Sequence, residues 1–69
     1  MTTIPTDPDA LLTSEQASAL LGFKSPHALK ALRYKGRGPA AVYLSSRLVR
    51  YRRSDVLAWI DENVVDPSA

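Results

Sequence analysis

The chain contains no cysteine and only one histidine, His27. Without thiols there is neither a disulfide nor a thiolate site, and one imidazole cannot assemble a zinc centre, so two staples common in small folds are excluded. Apolar runs extend over a few residues at most, far short of the roughly 20 that span a bilayer, and the N-terminus lacks the basic-then-apolar order of a signal peptide. A soluble, cytoplasmic protein is expected. Material for catalysis is equally thin. No carboxylate or second imidazole shares the segment of His27 to orient it as a base or to share a metal, so His27 is expected as a neutral hydrogen-bond donor. The three tyrosines, Tyr34, Tyr43 and Tyr51, have no walled pocket in so short a chain to make nucleophiles of them. No enzyme activity and no cofactor are expected.

The most informative absence is local. Segment 24–53 has no Asp or Glu, yet it holds all nine Lys and Arg residues, while all seven acids lie outside it. The formal net charge of +2 therefore conceals a segment of +9. A merely solvated face usually interleaves acids with its cations. A polyanionic partner fits this one better, and duplex DNA, whose condensed counterions are released when Lys and Arg replace them, fits best.

At 69 residues there is room for one domain, which buries only about 60% of its unfolded surface. Residues 1–10, with two prolines and two aspartates and no apolar period, read as a flexible leader. Thr13 and Gln16 have the spacing of a capping box, and Ala17, Leu20 and Leu21 follow at i, i+3, i+4 until Gly22, predicting a short helix with a left-handed stop. Ser25-Pro26 repeats the start signal and Gly36 the stop, predicting a second helix from Pro26 to about Lys35. A helical wheel puts Ala28, Leu29 and Leu32 on its inner side and His27, Lys30 and Tyr34 outward, flanked by Ala31 and Arg33. Helices joined by a turn this short have helix-turn-helix spacing.

Beyond Gly38-Pro39, runs 41–45 and 48–52, separated by Ser46-Arg47, predict a β-hairpin. Period two gives it an apolar back of Val42, Leu44, Val49 and Tyr51 and a front of Arg50 and Arg52. Ser54, with Asp55 behind it, reads as the N-cap of a third helix running to about Asn63, with Val56, Trp59 and Ile60 as its stripe and Trp59 as its core anchor. Arg53 stands just before that helix, where a cation opposes the helix dipole, so something other than local helix stability favours it there. Residues 64–69 read as a flexible tail.

These motifs in this order, Leu12-Thr13-Ser14-Glu15-Gln16-Ala17, Leu20-Leu21-Gly22-Phe23, Ser25-Pro26, Gly36-Arg37-Gly38-Pro39, and Arg50-Tyr51-Arg52-Arg53-Ser54-Asp55-Val56 with Trp59-Ile60, resemble the small MerR-like winged-helix proteins, which include phage excisionases and AlpA-type regulators. The likeness covers residues 11–63. It implies an α+β winged helix-turn-helix whose second helix enters the major groove and whose hairpin wing reaches backbone or minor groove. Carried onto this chain, it assigns Ser25, His27, Lys30, Arg33 and Tyr34 to the helix contacts and Arg47 and Arg50 to the wing. Lys24 in the turn and Arg52 at the end of the hairpin complete the candidate DNA-binding set, while Lys35, Arg37 and Arg53 read equally well as ordinary surface cations. Where many relatives have a glycine-rich wing tip, this chain has Ser45-Ser46-Arg47, and Phe23 reads as a core filler.

The resemblance further implies a monomer that binds double-stranded DNA, in neighbouring copies, and helps an integrase favour excision. The alternatives are a regulator using the same surface at a promoter and, from another class, a winged helix whose basic face docks an acidic protein.

Overall fold

The computed structural model describes residues 3–65. Met1, Thr2 and residues 66–69, parts of the expected leader and tail, lie outside the described residues. The elements are β1 (Leu11–Leu12), α1 (Ser14–Leu20), α2 (Pro26–Tyr34), β2 (Val42–Tyr43), β3 (Val49–Arg52) and α3 (Arg53–Glu62). The strands form an antiparallel sheet in the order β1-β3-β2, and with the three helices they make the expected α+β winged helix-turn-helix. No helix among the described residues is long and apolar enough to cross a membrane.

Local chemistry accounts for the helix boundaries. Thr13 Oγ1 accepts from the Gln16 amide at 3.1 Å while Gln16 Oε1 accepts from the Thr13 amide at 3.0 Å, a complete capping box. Ser25 Oγ accepts from the His27 amide at the start of α2, with Pro26 at the first helical position. Both helices end at a glycine with positive φ, Gly22 at +80° and Gly36 at +68°. In each case the next amide reaches back to the third-last helical carbonyl, Phe23 to Ser18 and Arg37 to Leu32. These are two Schellman stops, which only a residue without Cβ enters cheaply.

Every element except β2 contributes one fully buried residue to the core: Leu12, Ala17, Leu29, Tyr51 and Val56. Leu20, Leu21, Phe23, Val49 and Ile60 pack around them. The inner stripe of α2 is narrower than the wheel predicts. Leu29 is buried and Leu32 half-buried, but Ala28 is exposed.

Three expectations are corrected. The hairpin register pairs Val42 with Arg50 and Tyr43 with Val49, and the Leu44 amide donates to Leu48, so Ser45, Ser46 and Arg47 form a three-residue loop. A turn confined to Ser46-Arg47 would have paired Val42 with Tyr51. The extra loop residue slides the register by one and flips β2, because directly opposed residues share a face. Tyr43 therefore joins Val49 and Tyr51 on the inner side, while Val42 and Leu44 share the outer side with Arg50.

The second correction concerns α3. Its N-cap is Arg52, which makes no side-chain cap bond, and Ser54 lies inside the first turn. Backbone carbonyls of the leader take over. The Arg53 amide donates to Ala10 O and the Ser54 amide to Pro8 O, each at 2.9 Å. The Arg53 side chain donates to Pro5 O at 3.0 Å and Gln16 Nε2 to Thr3 O at 2.9 Å. Residues 3–10 have no regular structure, yet they are fastened at four points and Ile4 packs on the core. Next to them β1 pairs Leu11 with Arg52 and Leu12 with Tyr51, a strand that the sequence pattern does not announce. Arg53 thus has a local partner in the leader.

Third, Trp59 is not the core anchor of α3. It is half-buried, and its Nε1 donates to Arg37 O at 2.9 Å, tying α3 to the loop beyond α2. Val56 holds the buried position instead.

Candidate nucleic-acid interface

The capping of α2 decides which side chains face outward, and the hairpin decides what they face. Between them runs an open trough of about 540 Å³. His27, Lys30 and Arg33 of α2 form one wall, Arg47, Val49 and Arg50 of the hairpin form the other, and Thr13, Ser14 and Glu15 close the end beside α1. Two pairs of cations from separate elements, Lys30 with Arg33 and Arg47 with Arg50, thus surround one cavity, with Glu15 the one carboxylate in its lining among the described residues. A second cleft of about 320 Å³ shares Lys30, Arg33, Arg47 and Val49 with the first and adds Tyr34, Tyr43 and Ser46.

Arg33 stands between the two. It is half-buried, and its Nη1 donates to Tyr51 Oη at 2.9 Å across 18 residues of sequence. Its Cζ lies 5.4 Å from the ring centroid of Tyr34 and 6.0 Å from that of Tyr43, within cation–π range. The Tyr51 bond is the main cause that raises the Arg33 pKa above its ordinary value, with desolvation opposing it. Its Nε is buried without an acceptor among the described residues. Arg33 is therefore a fixed cation rather than a freely sweeping one. Lys30, one turn before Tyr34, places Nζ 5.7 Å from the same ring, and Tyr34 itself is 73% exposed.

The remaining predicted residues are placed as follows. His27 is exposed at the first turn of α2 and lines the main trough. Arg50 lines it too, its Nη1 donating to Val49 O at 2.9 Å. Arg47 is exposed in the loop, its amide donating to Ser45 Oγ. Lys24 and Ser25 border a separate small cleft around Phe23 and Pro26, at the edge of the trough. Arg52 is not brought to the trough. It lies at the end of β3 that pairs with Leu11 of β1 and leads into α3, and it approaches Asp55 at 3.9 Å, a pair exposed enough to be worth little. Sequence reasoning missed Tyr43 and Ser46. Both would have been found by recognising the three-residue loop, which alone determines their side of the hairpin.

Such an arrangement offers charge and hydrogen-bond donors on two walls and an accessible helix face between caps, which suits a phosphate backbone and the groove beside it. The helix-turn-helix domain family matches residues 11–64. The chain belongs to that family. The match spans both helices, the hairpin and α3, so the helix-turn-helix signal covers the same residues that build the trough and points to DNA as the partner. No curated protein and no solved structure matches the chain significantly.

Proposed function

We propose that this helix-turn-helix protein is an architectural DNA-binding protein of the excisionase kind, which binds and bends attachment-site DNA and so directs an integrase toward excision. The observation that carries the reading is the trough, where Lys30 and Arg33 from α2 meet Arg47 and Arg50 from the hairpin. In this reading α2 lies in the major groove with His27 and Lys30 at base edges, and Arg47 holds the neighbouring backbone. The chemistry is binding and deformation alone, with no catalytic step and no cofactor.

The acids supply a second surface. Asp61 and Glu62 are exposed on α3, and a monomer with a basic hairpin and an acidic third helix is suited to stand head to tail with its neighbour along DNA. A regulator of the AlpA kind would use the same trough at a promoter. Footprinting on attachment-site and promoter DNA of the encoding element separates the two. Protection of repeated sites in the attachment region, with stimulated excision by the integrase, is the expected result. Protection confined to a promoter means a regulator. Capture of an acidic protein with no DNA protected means a protein-binding winged helix.

A further inference from the structure

The flipped register of β2 gives Tyr43 a position that sequence periodicity does not. It stands opposite Val49, on the side of the hairpin that faces α2, and remains 57% exposed. Tyr34 approaches the same place from α2. The two rings come from different elements, and each lies within about 6 Å of the Arg33 guanidinium, which Tyr51 holds in place.

The cleft that they border has an unusual lining for so acid-poor a surface. Lys30, Arg33 and Arg47 supply three cations, and Tyr34, Tyr43 and Ser46 supply three hydroxyls. Val49 completes the lining, and among the described residues no carboxylate joins it, whereas Glu15 lines the main trough. Each of the six polar side chains can donate a hydrogen bond. The matching ligand is a compact anion with several acceptor oxygens, held where a fixed guanidinium supplies charge and orientable hydroxyls supply direction.

We propose that the cleft bordered by Tyr34, Tyr43, Ser46 and Arg47 around Arg33 is a seat for one backbone phosphodiester of duplex DNA, beside the main trough and sharing its cations Lys30, Arg33 and Arg47. The seat rests on the DNA-binding reading above. Arg33 and Arg47 neutralise the phosphate, the two tyrosine hydroxyls donate to its non-bridging oxygens, and Lys30 is shared with the groove-facing side of α2. The three-residue loop is its structural condition. With the loop confined to Ser46-Arg47 and Ser45 drawn into the strand opposite Leu48, Tyr43 turns to the outer side of the sheet and the seat loses a wall.

Neutral donors and cations leave different marks on binding. A cation that contacts phosphate releases counterions and contributes about 0.9 to the salt slope, whereas a hydroxyl contributes affinity but no slope. The test is fluorescence anisotropy of a labelled mixed-sequence duplex titrated with the wild type, Tyr34→Phe, Tyr43→Phe, the double variant and Arg47→Ala over a range of salt. Each Tyr→Phe change is expected to weaken binding about 3- to 10-fold at every salt concentration, with the slope and melting temperature unchanged. Arg47→Ala should flatten the slope by about 0.9. On a duplex carrying methylphosphonates, whose phosphorus groups accept more weakly, the loss in the double variant should shrink. Wild-type affinity in the double variant overturns the seat, as does an undiminished loss on methylphosphonate DNA or a loss matched by a fall in melting temperature. Failure of the wild type to bind the duplex at low salt removes the DNA-binding reading and the seat together. That outcome is distinct from a wild type that binds and a double variant that binds equally well.

Discussion

Arg33 and Tyr51 join the exposed helix of this domain to its core, the guanidinium donating at 2.9 Å to the hydroxyl of a tyrosine that is otherwise wholly buried. The same arginine carries part of the charge of the trough, so one bond links fold stability to the binding surface. Tyr51→Phe keeps the ring and removes the acceptor. It is expected to cost about 1–3 kcal/mol in urea unfolding, the range for losing a partner of a charged donor, and to weaken DNA binding by releasing Arg33. That bond raises the pKa of a guanidinium already charged throughout the working pH range, so Arg33 contributes no pH dependence to binding. A Tyr51→Phe variant with wild-type stability and affinity contradicts the coupling.

The leader is expected to stabilise α3 directly. Its carbonyls at Pro8 and Ala10 receive the first two helical amides, in place of a side-chain cap. Removing residues 1–9 should destabilise the domain by about 1–3 kcal/mol, the scale of lost caps and hydrogen bonds. It should also raise the hydrogen-exchange rate at the Ser54 amide, whose acceptor Pro8 O is removed. Unchanged melting and exchange in the truncated chain contradict this role.

Trp59 and Val56 are expected to rank against their sizes. Val56 is fully buried, so Val56→Ala removes two buried carbons and leaves a cavity, costing about 2–3 kcal/mol. Trp59→Phe mainly removes the bond to Arg37 O and should cost about 0.5–1.5 kcal/mol. Denaturant midpoints at equal m-values decide the order.

The hairpin loop is expected to control the register. Ser45→Asn with Ser46→Gly places an Asn-Gly turn at positions 45 and 46, whose two-residue loop favours pairing Val42 with Val49 in place of Arg50. Cross-strand NMR contacts should shift by one residue, and DNA affinity should fall because Tyr43 leaves the inner side. Retention of the Val42–Arg50 and Tyr43–Val49 pairs contradicts loop control.

Signals confined to four or five neighbouring residues were legible in the sequence. Thr13 with Gln16, Ser25 with Pro26, and the two glycine stops each encode their bonds within one turn of helix, and they suffice to place α2 and its outward cations. The long-range features were not legible. β1 is two leucines whose pairing with β3 lies 40 residues away, the α3 cap consists of backbone carbonyls that leave no compositional mark, and the register turns on one residue of loop length. The site followed the same division. His27, Lys30, Arg33, Arg47 and Arg50 were readable from charge and period, Arg52 shares the period of Arg50 but sits at the α3 end of β3 beside Asp55, and Tyr43 required the register.

If α2 and the hairpin bind a phosphate backbone through their cations, DNA affinity falls steeply as salt rises. With five to eight phosphate contacts, a plot of log K against log salt should have a slope of about −4 to −7, and Lys30→Ala or Arg47→Ala should each flatten it by about 0.9 and cost on the order of 1–3 kcal/mol. A slope near zero, or one left unchanged by both substitutions, contradicts the account.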